Sequence, residues 1–317
     1  TMKIYKNGSL FDIEQHAGGL TDLNRTLYIG GYFLPNFFLK GSLDDLTFHR
    51  RELTAGEVNQ LYVSGTPCAQ RITVAAKVLL DGPYVQATQL MSDALRTANL
   101  VPAAEPYSGL GYSLVAGGTG VVRSNGVSAV SGNEAICDWV LVELRQASSP
   151  YTVLATRTAL VQRDGDVVGF DGVSPVSFDA TPGIYRVAIR HRDHLGVMTG
   201  AAIALSSTAA VVDFTNPATL TYGADAQKSV GAKMVLWAGD ATGDGVLKYV
   251  GVNNDRDPIL TAVGGTTPNN ALNNVYDRRD VNLDGTIKYI GSNNDRDPIL
   301  LNVGSTVPTN VRVEQIP

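Results

Sequence analysis

The segment GDATGDGVLKYVGVNNDRDPILTAVGG, Gly239 to Gly265, returns forty positions later as RDVNLDGTIKYIGSNNDRDPILLNVGS, Arg279 to Ser305. Asp240/Asp280, Asp244/Asp284, Gly245/Gly285, Lys248/Lys288, Tyr249/Tyr289 and Gly251/Gly291 coincide, and the octapeptide NNDRDPIL is identical in both copies. Intervening residues differ: Ala241 aligns with Val281, and Gly243 with Leu283. A polar pattern held constant on a varying background constrains the fold strongly, because two equivalent units must satisfy the same local geometry.

The opening of each copy reads D-x-[TN]-x-D-G, the first half of an EF-hand-type calcium loop. Oxygens at positions 1, 3 and 5 converge on one cation, Gly at position 6 permits a sharp turn, and the position-7 carbonyl points inward. The expected ligands are Asp240, Thr242, Asp244 and the carbonyl of Val246 in copy one. In copy two they are Asp280, Asn282, Asp284 and the carbonyl of Thr286. Hard Ca²⁺ takes six to eight such oxygens, so two calcium sites are expected. Val246/Leu247 and Thr286/Ile287 suit a short β-bridge between the paired loops.

Position 12, where an EF-hand carries its closing acid, is Gly251 or Gly291. Acids return only at Asp255 and Asp257, or Asp295 and Asp297, so the loop is enlarged and closes late. Pro258 and Pro298 suit the first position of a helix, which makes Asp257 and Asp297 candidate N-caps. Asp255 and Asp295 are then ligands, with Asp257 and Asp297 either ligating as well or only capping. Asn253 and Asn254 supply amide oxygens or turns. Arg256 and Arg296 brace the carboxylates or pair with the other repeat. Gly264 and Gly304 stop the two short helices. Nine acids against six bases lie between 239 and 300, a concentration of negative charge that suits a cation.

The rest of the chain reads as mainly β. Charged residues are only 17% of 317, and short runs rich in Val, Thr, Ile and Tyr alternate with Gly and Pro. A net charge of −5 argues against a nucleic-acid partner, and no apolar run is long enough for a transmembrane segment. Three blocks are expected: 1–66, 70–232 and 233–317. In the first, MKIYKNGSLF predicts a hairpin around Asn7-Gly8, LYIGGYF and GSLDDLTFHR further strands, and Thr54 with Glu57 a capping box. Asp44 and Asp45 are expected in turns. In the second, RITVAAKVLL, AICDWVLVELR, TVLATRTALVQ, GIYRVAIRHR and AAIALSS predict strands of a β-sandwich, and MSDALRTANL a short helix.

Three features of the second block bear on chemistry. His191 and His194 form an H-x-x-H pair that could bind a metal. His194 falls past the strand, and no third ligand is evident nearby, so a structural role is expected. Asp164 and Asp166 are expected in a hairpin turn. Cys137 is expected as a buried free thiol, in preference to a bridge to Cys68. No nucleophile or phosphate-loop motif occurs, and the expectation is a non-enzymatic protein.

The stretch YIGG…LKGSLDDLTFHRRELTAGEVNQLY resembles the end of a laminin-G/concanavalin-like jelly-roll domain. It covers about the last third of that fold, which implies a fragment of a longer chain and a module that binds a glycan or protein. The tandem D-x-[TN]-x-D-G loops, each with a short helix, resemble dockerin modules. Blocks two and three together, through MSDALRTANLVPAAEPY, WVLVELR, LATRTALVQRDGDVV, RHRDHLGVMTG and VNLDGTIKYIGSNNDRDPILLNVG, resemble the C-terminal region of large secreted surface proteins of gliding bacteria. That resemblance implies export to the cell surface or medium by a type IX-like secretion machinery. The expected fold is thus a partial jelly roll, then a β-sandwich, then a dockerin-like module with two calcium loops. The expected function is a calcium-stabilised segment of a secreted, cell-surface adhesin-like protein. The alternatives are an ancillary tail of a polysaccharide-degrading enzyme, or a dockerin that binds a cohesin-like partner.

Overall fold

The computed structural model describes residues 2–6, 9–14, 53–58 and 71–317, which fall into two compact units, 1–70 and 71–317. In the first unit, β1 (Met2–Lys6) and β2 (Ser9–Glu14) pair antiparallel, from Met2 with Glu14 to Lys6 with Ser9. Residues 55–58 make a single helical turn, α1. The capping box forms: the Thr54 N–H donates to Glu57 Oε2 at 2.8 Å, and the Glu57 N–H donates to Thr54 Oγ1 at 3.2 Å. The expected strands LYIGGYF and GSLDDLTFHR, with Asp44, Asp45 and Cys68, lie outside the described residues.

The second unit is mainly β. Its strands begin with β3 (Arg71–Lys77), β4 (Tyr84–Val85) and β5 (Leu90–Met91), followed by α2 (Ala94–Thr97). Next come β6 (Ile136–Gln146), β7 (Val153–Gln162), β8 (Asp166–Val168), β9 (Val176–Asp179) and β10 (Gly183–Arg190). Then follow β11 (Val197–Met198), β12 (Ile203–Leu205) and β13 (Ala210–Asp213). One connected nine-stranded sheet runs β11-β10-β6-β7-β8-β3-β13, with β12 also on β10 and β9 also on β3. The pairing of β13 with β3 is parallel.

The centre of this sheet follows from β6. Ten of its eleven residues are buried, so ICDWVLVELR is covered on both faces and reads as a near-continuous apolar run instead of an alternation. Trp139, Leu141 and Val142 pack with Ile72, Val74, Leu160, Phe178 and Ile189 in the main core. Cys137 is a free thiol in this core, and burial holds its pKa well above the ordinary range. The helix expected over MSDALRTANL shrinks to four residues: Met91 is taken into β5 opposite Tyr84, and Asn99, at φ +57°, ends the helical turn. Asp164 and Asp166 sit at the β7–β8 turn as expected. The Asp166 N–H donates to Asp164 Oδ1 at 3.1 Å, and Lys77 Nζ lies 2.7 Å from Asp166.

The chain then forms β14 (Gln227–Val230), β15 (Lys233–Leu236), β16 (Val246–Lys248), α3 (Arg256–Ala262) and β17 (Ala271–Asn273). It ends with β18 (Thr286–Lys288), α4 (Arg296–Val303) and β19 (Val311–Val313). The boundary expected at 232/233 falls inside the second compact unit, 71–317. Leu236 N–H donates to Leu79 O at 2.8 Å, and Val235, Leu236 and Leu283 belong to the main core. A second core, of Trp237, Leu247, Ile259, Val263, Val281, Ile287, Ile299 and Val303, lies under the repeats.

The β-bridge expected between the two loops, Val246/Leu247 with Thr286/Ile287, does not form. β16 of copy one pairs with β19, which follows the helix of copy two, while β18 of copy two pairs with β17, which follows the helix of copy one. The helices follow the same exchange: α3 packs on β18 and α4 on β16. Each repeat therefore completes the other's sheet. Ile259 and Ile299, the apolar anchors of the octapeptide, are fully buried in the shared core.

Candidate metal centre

In copy one, Asp240 takes three loop N–H groups. Gly243 and Asp244 donate to its Oδ1 at 2.7 and 3.1 Å, and Gly245 donates to its Oδ2 at 2.9 Å. Asp255 reaches back to the same loop. Its Oδ1 accepts the Thr242 N–H at 3.0 Å, and its Oδ2 accepts the Lys248 N–H at 2.8 Å. The Thr242 hydroxyl lies 3.2 Å from Asp240 Oδ1 and 3.1 Å from Asp255 Oδ1, so the three side-chain oxygens meet at one place.

Copy two repeats the backbone-to-carboxylate bonds, while its third position, Asn282, donates its side-chain amide to the Asn293 carbonyl at 3.1 Å. Asp284 and Gly285 donate to Asp280 at 3.1 and 2.8 Å, while Val281 and Lys288 donate to Asp295 at 2.8 and 2.7 Å. Asn282 Oδ1 accepts the Asp284 N–H at 2.9 Å, and Asp284 Oδ1 accepts the Thr286 N–H at 2.8 Å. In copy one, Val246 likewise donates to Asp244 Oδ1 at 2.9 Å. Gly245 and Gly285 sit at φ +77° and +82°, the left-handed turn that places the sixth loop position beneath the first carboxylate.

The structure separates the two late aspartates that the sequence left open. Asp255 and Asp295 are fully buried and face Asp240 and Asp280. Asp257 and Asp297 turn outward, with side chains 58% and 49% exposed. They bind the side-chain amides of Asn254 and Asn294 at 2.8 Å and pair with Arg256 and Arg296. They are not the helix caps either. Helices α3 and α4 begin at Arg256 and Arg296; the residues just before, Asp255 and Asp295, already have helical torsions and make no side-chain cap bond. Asn254 and Asn294 accept the N–H of Asp257 and Asp297 at 3.0 and 2.9 Å. That i to i+3 bond is the capping geometry. Pro258 and Pro298 remain in the first turn, where no N–H partner is lost. Arg256 and Arg296 stack over Tyr249 and Tyr289 of their own copy, at 5.1 and 5.2 Å to the ring centroid.

Electrostatics fit these groups to a cation. Burial pushes the carboxyl of Asp255 up to about 7, Asp280 up to about 7 and Asp295 up to about 8; neighbouring carboxylates add to each shift, while the Arg192 guanidinium opposes it at Asp280. Asp240 and Asp284 are also raised by burial. Asp297 is instead held below the usual range: burial opposes this, but the Asn294 amide and Arg296 outweigh it. Backbone N–H donors position each buried pair, yet no Lys or Arg side chain among the described residues bonds to Asp255 or Asp295. Copy two has a basic group close enough to act on its first carboxylate, Arg192 near Asp280. Converging oxygens that no Lys or Arg side chain bonds suit a hard divalent cation.

A second polar cluster surrounds the His191/His194 pair. His191, Arg192, Asp193, His194 and Asp138 are all buried, and Tyr276 donates to Asp138 Oδ1 at 2.6 Å. Asp193 lies between the two histidines in sequence, so the absence of a third candidate ligand was misjudged. Its backbone carbonyl accepts the N–H groups of Gly239 and Asp240 at 2.9 and 3.0 Å. Comparison with known proteins yields no match to a family model, a curated protein or a solved structure.

Proposed function

We propose that residues 233–317 bind two Ca²⁺ ions. Asp240, Thr242, Asp244 and Asp255 serve the first, and Asp280, Asn282, Asp284 and Asp295 the second, with the carbonyls of Val246 and Thr286 completing each set. The observation that carries this reading is the pair of buried carboxylates in each copy, both oriented by backbone donors and neither bonded by a Lys or Arg side chain among the described residues. Calcium then acts as a fold staple, since an ion-free module keeps facing carboxylates in a dry interior. The reciprocal exchange of strands between the copies supports a dockerin-like arrangement.

The wider role we infer is that of a calcium-stabilised, non-enzymatic segment of a secreted cell-surface protein, serving adhesion or display. It rests on the sequence resemblance to exported bacterial surface proteins. Among the described residues no helix is long and apolar enough to cross a membrane. The test is calorimetric titration of the whole chain with calcium, alongside Asp240→Ala and Asp280→Ala. Two sites are expected, with each variant losing one. A chain that takes up fewer than two ions, or variants that lose none, overturns the assignment.

A further inference from the structure

We propose that His191, His194 and Asp193 form a separate site for a transition-metal dication of the zinc class, distinct from the calcium loops. The argument begins with the outer nitrogens. His191 Nε2 lies 3.2 Å from Asp138 Oδ2, and His194 Nε2 lies 2.8 Å from the Asp81 carbonyl oxygen. Both partners are acceptors, so both Nε2 atoms carry the proton. In neutral rings each Nδ1 is then a bare lone pair.

These two lone pairs meet. His191 Nδ1 and His194 Nδ1 are 2.9 Å apart, and Asp193 Oδ1 lies 2.7 Å from the first and 2.6 Å from the second. One added proton, even if shared, satisfies two of these three contacts and leaves the third as acceptor against acceptor. Two added protons on the imidazoles leave two N–H groups facing each other, and a proton on Asp193 instead is opposed by the Arg192 guanidinium beside that carboxylate. A dication among the three atoms satisfies all of them. Ligand bonds of about 2.0–2.1 Å in a tetrahedral site spread such atoms to roughly 3.3 Å, a shift of a few tenths of an ångström for each side chain.

The surroundings match a metal site. A carboxylate and a backbone carbonyl holding the far N–H of each ligating imidazole is the usual second layer around a bound metal. The two carboxylates Asp138 and Asp193 outnumber the one guanidinium, Arg192, that bonds to both. Two imidazole nitrogens and one carboxylate oxygen favour zinc-class ions over calcium.

The whole chain, stripped of metal and held in excess calcium, is titrated with Zn²⁺ and then with Co²⁺. We expect one Zn²⁺ per chain, a higher melting temperature, and visible d–d absorption from bound Co²⁺. His194→Gln should lose the zinc and the cobalt spectrum while still taking up two calcium ions, which shows that it has folded. Absence of zinc uptake by the unmodified chain overturns the site and leaves a proton-sharing cluster. Uptake unchanged in a folded His194→Gln overturns it equally. Neither result touches the calcium reading, which the loop variants test independently.

Discussion

At the scale of the residue, the octapeptide divides its work one position at a time. Asn254 and Asn294 cap, Asp255 and Asp295 face the site, Arg256 and Arg296 stack on tyrosine, Asp257 and Asp297 pair outward, and Ile259 and Ile299 anchor the core. Replacing Asp255 with Asn should therefore weaken calcium at the first site by roughly a hundredfold or more, because it removes one of the few charged ligands. Asp257→Asn should leave affinity within about threefold, since an exposed ion pair contributes about 0–1 kcal/mol. Calorimetry on the two variants decides it, and equal losses would return Asp257 to the ligand set. Asn254→Ala should cost about 1 kcal/mol of stability, measured by denaturant unfolding in saturating calcium.

The same buried acids set a pH response with a definite sign. In chelator, Asp255 and Asp280 titrate near 7 and Asp295 near 8 in the folded chain, all above the unfolded carboxyl range. A raised folded pKa contributes stability that is fully present below the unfolded value and is lost as pH climbs through the folded one. The calcium-free chain should thus melt at a higher temperature at pH 5 than at pH 8.5. Saturating calcium should reverse that slope, because the ion competes with those protons. A calcium-free melting temperature that rises steadily with pH would contradict the placement of these carboxyls.

At the scale of the element, the exchange of strands makes an unusual demand. β17 follows the first copy's helix but pairs with the second copy's loop strand, Leu272 opposite Ile287. Leu272→Pro should then weaken the second calcium site by roughly tenfold while sparing the first, because proline removes a ladder donor from β17. Calorimetry with the two sites resolved by Asp240→Ala or Asp280→Ala measures it. This part of the architecture was hidden in the sequence. The D-x-[TN]-x-D-G turn and the identity of the candidate ligands are local, so spacing alone exposed them. The partner of residues 246–248 is 311–313, and no period in a sequence encodes a pairing at that separation. The helix starts two residues before Pro258, at Arg256, so Asp257 lies inside its first turn and its N–H is a donor to the Asn254 side chain. The polar cluster draws Asp138 from β6, Tyr276 from the link between the repeats and His191 from the end of β10. Only the folded chain brings these together.

At the scale of the whole molecule, the sheet and the repeats are joined along several lines. Leu195 N–H donates to Trp237 O at 2.9 Å, and Arg192 bonds the Asp277 carbonyl ahead of the second loop. Lys228 Nζ links Asp81 at 2.8 Å to Asn302 of α4 at 2.9 Å. The segment after β19 returns to the sheet: Glu314 pairs with Arg190, and Gly196 donates to Glu314 Oε1 at 2.8 Å. Gly196 has no room for a side chain there, since a Cβ would stand 2.7 Å from both Glu314 and Ile316. With Leu283 of the second loop inside the main core, loosening the loops should expose part of the sheet's own apolar surface. Cooperative unfolding of residues 71–317 follows, and calcium should stabilise the sheet as well as the repeats. The chain has two tryptophans, Trp139 in β6 and Trp237 beside the repeats. In Trp237→Phe, fluorescence reports the sheet alone. Its thermal transition should move upward with calcium in step with the loss of total ellipticity. A Trp139 transition that stays fixed while calcium shifts the ellipticity would show that sheet and repeats unfold independently, and would restore the boundary at 232/233.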